Sequence, residues 1–335
     1  MNILLAGLGS IGTRHLQNII GLGYTNIAVV SSKKVLPAAF AGCKLYHEID
    51  EALNAAAFDA AFICTPTALH TGQLIKILRH KIRLIYLEKP VSDSLHQIKE
   101  ARNLASLYKS KIITGFDLHF DPGMIKLKEM LQQKIIGRII SVNAFVGQYL
   151  PLWRPYEDHR KGMSAKKETG GGVMLDLIHE FDYLYRLFGN VETVACNIIN
   201  SGELEIETEE CAGVLLRFEN GISGLVHLDY WQQQLKRFAI ITGTEGTITW
   251  NLAEKSVELI TKKETTVFSY NNFDRNNRFV HAVKSFLEEK DGALFSSFED
   301  GVKSLEIVLA AKLAAEKNCL VKPADLVHDV SFAAQ

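Results

Sequence analysis

Three side chains in this sequence have a type and a setting suited to moving a proton: Lys89, Asp176 and His179. Lys89 sits in Glu88-Lys89-Pro90, at the end of an apolar run from Arg83 to Leu87 with strand character. The proline restricts the backbone ahead of it. Burial or a nearby cation would lower the pKa of the amine towards acid–base use on a hydroxyl. A single lysine before a turn is more often a solvated surface residue, so its neighbours decide. Asp176 and His179 lie in Gly170-Gly171-Gly172-Val-Met-Leu-Asp176-Leu-Ile-His179-Glu-Phe-Asp182. Imidazole titrates near neutral pH and can take a hydroxyl proton. The spacing of three puts Asp176, His179 and Asp182 near one face of an expected helix, where Asp176 would orient a substrate or tune the imidazole. The three glycines would let a ligand approach the backbone. A lone helical histidine is ordinarily structural, but this one has company.

The chemistry that these groups would serve is indicated at the N-terminus. Ile3 to Ala6 is a short apolar run, as in a strand buried on both faces, and Gly7, Gly9 and Gly12 follow in G-x-G-x-x-G spacing. In a dinucleotide-binding turn the first glycine allows the tight bend. The second admits a pyrophosphate, and the third lets helix pack against strand. Leu16, Ile19 and Ile20 recur at helical spacing behind them, so a helix N-terminus carrying Ser10 and Ile11 would face the phosphates. After the second strand, Asn26 to Val30, the place where an acidic residue would hold a ribose 2′-hydroxyl carries Ser31-Ser32-Lys33-Lys34. Two hydroxyls and a cation suit a 2′-phosphate and favour NADP. If Ser31 merely ends a strand and the lysines are solvated, NAD would be held through backbone groups.

Size and composition agree with a soluble two-domain protein. The chain has 335 residues, 47% of them hydrophobic, and a net charge of -1. That charge argues against a nucleic-acid or anionic-membrane partner held by bulk electrostatics. No run is long and apolar enough to span a bilayer, and no signal-peptide pattern opens the chain. Cys43, Cys64, Cys196, Cys211 and Cys319 form no C-x-x-C pair, which points to reduced thiols in a cytoplasmic protein with no metal site.

The elements that must position these groups follow a regular pattern. Helical segments at Glu51–Ala57, up to about His80 and at Ser94–Tyr108 alternate with strands at Asp59–Cys64, Arg83–Leu87 and Lys111–Gly115. This predicts a doubly wound parallel sheet. Ligands then sit beyond the carboxyl ends of the strands, so the loops Gly7–Gly12, Thr65-Pro66-Thr67-Ala-Leu-His70 and Glu88–Pro90 should converge on one cofactor site. From about residues 116–122 the pattern changes. Seven segments of strand character, from Ile139–Gln148 to Val257–Lys262, are separated by turn signals and predict a large, open, mainly antiparallel sheet in an α+β domain. The expected division is 1–118 and 119–335. The tail reads as two helices, Asn276–Glu289 and Phe298–Lys317. Between the first two strands of the second domain, Trp153, Arg154 and Tyr156 mix aromatic and hydrogen-bonding character. That suits a sugar; it equally suits a surface loop or a subunit contact.

Taken together, Gly7-x-Gly9-x-x-Gly12, Ile63-Cys-Thr65-Pro66-Thr67-x-x-His70 and Glu88-Lys89-Pro90 resemble the Gfo/Idh/MocA family of oxidoreductases, over most of the chain. The resemblance implies hydride transfer between NADP or NAD and a carbinol or carbonyl carbon of a sugar, polyol or nucleotide sugar. It also implies a homodimer or homotetramer assembled through the C-terminal sheet. Two departures stand out: the family usually has arginine where His119 stands, and many members space the later pair as D-x-x-x-H. Some relatives cleave glycosidic bonds with a tightly held nucleotide, and the fold also serves non-catalytic regulators. A pure binder has no need to keep the Lys89, Asp176 and His179 set.

Overall fold

The computed structural model describes residues 1–290, 292 and 294–327. The described chain divides into two compact units, Met1–Asp117 with Arg275–Val302, and Leu118–Asp274 with Lys303–Val327.

The first unit begins with β1 (Ile3–Ala6), α1 (Ser10–Gly21), β2 (Ile27–Val30), β3 (Lys44–Tyr46), α2 (Ile49–Ala55), β4 (Ala60–Ile63), α3 (His70–Arg79), β5 (Leu84–Leu87), α4 (Ile98–Tyr108) and β6 (Lys111–Thr114). The six strands are parallel in the order β6-β5-β4-β1-β2-β3. Every residue of β1, β2, β4 and β5 is buried, as apolar runs covered on both faces by helices require. β3 has no counterpart in the sequence pattern. Lys44-Leu45-Tyr46 is too short to show a period, and pairing with Ala28, Val29 and Val30 makes it a strand. Helix α4 starts at Ile98 rather than near Ser94, behind a left-handed Gln97.

The second unit holds α5 (Pro122–Gln132), β7 (Ile139–Gly147), α6 (Val173–Asp176), α7 (His179–Phe188), β8 (Val191–Ile199), β9 (Cys211–Phe218), β10 (Ser223–Asp229), β11 (Lys236–Gly243), β12 (Gly246–Asn251), β13 (Ser256–Thr261) and β14 (Thr265–Ser269). Its eight strands run β14-β13-β12-β11-β7-β10-β9-β8. Neighbours are antiparallel except β7 and β10, which are parallel. Alternation is clean. Ala212, Val214, Leu216 and Phe218 of β9 point into the core, while Gly213, Leu215 and Arg217 face outward. β14 was not anticipated because all its residues are exposed and no alternation marks it.

The chain then returns through α8 (Asn276–Leu287) and β15 (Ser296–Ser297) to the first unit, and α9 (Phe298–Lys317) leads out of it again. β15 pairs antiparallel with β6 as a seventh strand. The tail expected to lie wholly in the second domain is therefore shared. Its return is secured by a buried Arg278–Asp117 ion pair at 3.1 Å and by Asn276, which bonds Arg14 and Asn18 on α1.

Candidate functional site

The glycine turn is built as its spacing requires. Gly7 has a φ of +97°, and a Cβ there would lie 2.5 Å from the Cys64 carbonyl oxygen. A Cβ on Gly12 would lie 1.9 Å from the Gly7 carbonyl oxygen, so helix α1 can seat against β1 only with glycine here. Gly9 differs, because a Cβ on it would meet nothing within 4 Å. It is exposed beside Ser10, at a helix start with no side-chain cap and no acidic residue in its first turn. Unused N–H groups facing open space fit a pyrophosphate.

The loops after β1, β4 and β5 do converge, because those strands are neighbours. His70, the first residue of α3, is nearly fully buried and ties two loops together. Its Nδ1 lies 2.7 Å from the Pro90 carbonyl oxygen and its Nε2 lies 2.9 Å from that of Thr65. Glu88 is buried as well, with its Oε1 2.7 Å from Nε2 of the fully buried His15 on α1. Both His70 and Glu88, expected among the cofactor contacts, are thus turned inward and spent within the unit. Thr67 is buried, and the Thr65 hydroxyl donates to Gln73 Oε1. Lys89 and Pro66 are partly exposed at the same edge.

At the end of β2 Ser31 is held from three sides. Its N–H donates to the Tyr46 carbonyl, its Oγ accepts from the Lys33 N–H at 3.2 Å, and its carbonyl oxygen lies 3.1 Å from Nδ1 of His47. Ser32, Lys33 and Lys34 are exposed. His47 carries no motif. It stands there because β3 pairs with β2.

In the second unit Asp176 and His179 are both buried, but not on one helix. Asp176 closes α6 and His179 opens α7, with Leu177 and Ile178 as a turn between them. The expectation of a common helical face is corrected accordingly. The glycine run before them is buried too. A Cβ on Gly171 would lie 2.3 Å from the Met163 carbonyl oxygen, so Gly171 makes room for the chain's own backbone, and Gly172 lies against the Glu209 carboxyl group.

Asp176 is oriented by Tyr230, whose hydroxyl donates to Asp176 Oδ2 at 2.6 Å. Burial, then the neighbouring Asp176, push the Tyr230 phenol well above its usual pKa, so it stays a donor. Trp153 packs edge-on against the Tyr230 ring at 5.4 Å and donates its indole N–H to the Gln148 carbonyl. Of the three residues expected to bind a sugar, Trp153 therefore touches this network, Arg154 is half-buried and Tyr156 is 78% exposed. His119 pairs with Asp182 at 2.5 Å, both buried, and Arg237 forks onto the fully buried Glu180 with two bonds of 2.8 Å. Tyr230 is separated from Asp176 by 54 residues, and no spacing rule links them. Among the described residues, no group of three or more His, Cys, Asp and Glu is gathered as a metal would require.

A parallel sheet with an anion-ready helix start, joined in one chain to a mainly antiparallel sheet domain, is the architecture of a dinucleotide-binding protein. A model described as "Oxidoreductase family, NAD-binding Rossmann fold" matches residues 1–116, and one described as "GFO/IDH/MocA C-terminal domain" matches residues 124–249. The chain belongs to the Gfo/Idh/MocA family of oxidoreductases. It is 25% identical to an inositol 2-dehydrogenase of Rhizobium meliloti over 335 aligned positions, spanning 93% of this chain and 96% of that one. It is 28% identical to an uncharacterized oxidoreductase, YrbE, of Bacillus subtilis, spanning 66% of this chain and 65% of that protein. A levoglucosan dehydrogenase, solved with NADH and levoglucosan, superposes with a TM-score of 0.84 at 17% identity, over 96% of this chain and 99% of that one, which shows a shared fold.

The geometry around His70 predicts a pH dependence of stability. Burial lowers its pKa below 6.5, outweighing the Pro90 and Thr65 carbonyls and Glu88, which raise it; Lys89 lowers it further. The unfolded chain therefore binds the proton at a higher pH than the folded one, and His70 destabilises the fold as pH falls below about 6.5. Thermal melts of wild type and His70→Asn from about pH 7.5 to about pH 5 should show this acid-side loss reduced in the variant. Parallel curves would remove His70 as its source.

Proposed function

We propose that this protein is an NAD(P)-dependent dehydrogenase or reductase acting on a CH–OH group of a sugar or polyol. The observation that carries the reading is the open start of α1 at Gly9 and Ser10, on the same sheet edge as Lys89. Gly7, Gly9, Ser10, Ile11 and Gly12 would hold the pyrophosphate, with Thr65, Pro66 and Thr67 beside it. Ser31, Ser32 and Lys33 would receive a 2′-phosphate, which favours NADP. When bound, the nicotinamide accepts or donates the hydride. The chain's own residues handle the proton. The Lys89 amine and the His179 imidazole hold and move the hydroxyl proton, and Asp176, fixed by Tyr230, orients the hydroxyl. Trp153, Arg154 and Tyr156 would contact the substrate. The names of the inositol and levoglucosan dehydrogenases support a polyol or sugar as its class.

Self-association through the second unit's sheet belongs to the same proposal, as a homodimer or homotetramer. Its outward face is apolar across β9 and β10, where Leu215 and Leu225 are directly paired and about half exposed. Beside them Phe145 stacks on both Phe238 and His227. An exposed apolar patch of this kind supports self-association through this face. All five cysteines are unpaired, in keeping with a cytoplasmic setting, and among the described residues no helix is long and apolar enough to cross a membrane.

Titration of the purified protein with NADPH and NADH, followed by cofactor fluorescence, tests the reading. Both should bind, NADPH more tightly, and Ser31→Asp should swing the ratio of affinities towards NADH by about tenfold. Binding of neither, with no nucleotide carried through purification, would sink it; a nucleotide that co-purifies and never exchanges would favour glycosidic cleavage through transient oxidation. On the sugar or polyol that turns over, Lys89→Ala and His179→Ala should each lower kcat by about 10²- to 10⁴-fold with cofactor affinity retained. Near-normal kcat in both would remove the proton-transfer roles. Sedimentation velocity should show an oligomer in wild type and a shift to monomer in Leu225→Lys; an unchanged profile would place the interface elsewhere.

A further inference from the structure

Lys89 is flanked on both sides by residues gripped by buried histidines. On one flank, the Glu88 carboxyl group meets Nε2 of His15 at 2.7 Å, and its other oxygen accepts the Lys89 backbone N–H at 3.3 Å. On the other flank, the Pro90 carbonyl oxygen lies 2.7 Å from Nδ1 of His70. His15 is walled by aromatic rings, with Tyr86, Phe62 and Phe279 at 5.0, 5.9 and 6.1 Å. Gly115 closes the Glu88 side, since a Cβ there would lie 2.7 Å from Glu88 Oε1. Neither histidine is exposed enough to meet a ligand, at 0% and 1%. Both come from the ligand-binding end of the unit. His15 lies on the helix whose N-terminus faces the open space at Gly9, and His70 opens α3 while its other nitrogen reaches the Thr65 loop.

Resting on the reading of Lys89 as a proton-transfer group, we propose that His15 and His70 are positioning residues that hold the backbone on either side of Lys89 and so set where its amine stands. The physical basis is the cost of leaving a buried polar group unpaired. Glu88 and the Pro90 carbonyl each have a buried imidazole in reach, so the backbone is restrained on both sides of the one residue between them. A half-exposed lysine on an unrestrained turn would sample many positions. Here the backbone that carries the side chain is fixed on both flanks, which narrows the volume the amine can reach. The two grips also connect Lys89 to the glycine turn and to the Thr65 loop, the two segments that would hold the dinucleotide.

Competitive labelling with limiting acetic anhydride from about pH 6 to about pH 10, read by peptide mass spectrometry, measures the reactivity of the Lys89 amine against exposed Lys99 in the same protein. It needs neither substrate nor turnover. In His15→Leu and His70→Phe, each checked for native circular dichroism, the Lys89 labelling rate relative to Lys99 should change by about threefold or more, with a displaced pH midpoint. His15→Gln and His70→Asn each keep an N–H donor for one grip and should return towards wild type. A merely structural role would lower the melting temperature without moving the Lys89 profile, and an unchanged profile in the Leu and Phe variants overturns the proposal. Should those variants not fold, Glu88→Gln, which keeps the volume and weakens the first grip, must move the Lys89 profile, and no change in it overturns the proposal equally. Retained turnover in Lys89→Ala would instead remove the catalytic reading while leaving the labelling result standing.

Discussion

A carboxyl group buried at the carboxyl edge of a parallel sheet has to be answered locally, and much of the first unit's site geometry follows from the answer to Glu88. Its partner His15 reaches it from α1, and α1 lies close enough only because Gly12 lets the helix sit against β1. Tyr86, Phe62 and Phe279 then exclude water from the pair. A buried polar pair of this kind contributes modest net stability, but removal of one partner is costly, so the arrangement is specified more strongly than it is stabilised. Lys89, one residue on, inherits that definition.

The second unit applies the same rule three times over. Glu180 is answered by Arg237, Asp182 by His119 and Asp176 by Tyr230. All three acids come from the stretch that begins at α6 and ends in α7, so this stretch is held to the rest of its unit by polar contacts as well as by apolar packing. His179 lies among them. The short turn at Leu177 and Ile178 separates Asp176 from His179 and Asp182, which a single helix would have aligned.

Much of this was legible in the sequence. The glycine spacing, the buried strand runs and the alternation in the second half depend on local chemistry: steric room for a backbone, burial on two faces, burial on one. These rules act over a few residues and leave periodic marks. β3 and β14 left none, because the first is three residues long and the second is exposed throughout. The inward contacts of His70 and Glu88 were hidden for a related reason. A motif shows that a residue sits at the ligand-binding edge but not whether its side chain points outward to a ligand or inward to a carbonyl.

The sequence by itself determined the class of each half, the turn at Gly7–Gly12, the loops that follow β4 and β5, and the candidates Lys89, Asp176 and His179. Only the tertiary structure decided who holds them. His15 reaches Glu88 across 73 residues, Tyr230 reaches Asp176 across 54, and β15 joins β6 from more than 180 residues away. Such pairings are set by which strands and helices become neighbours when apolar faces are buried together. A hydrogen bond between groups that far apart in the chain leaves no spacing for a reader of the sequence to find.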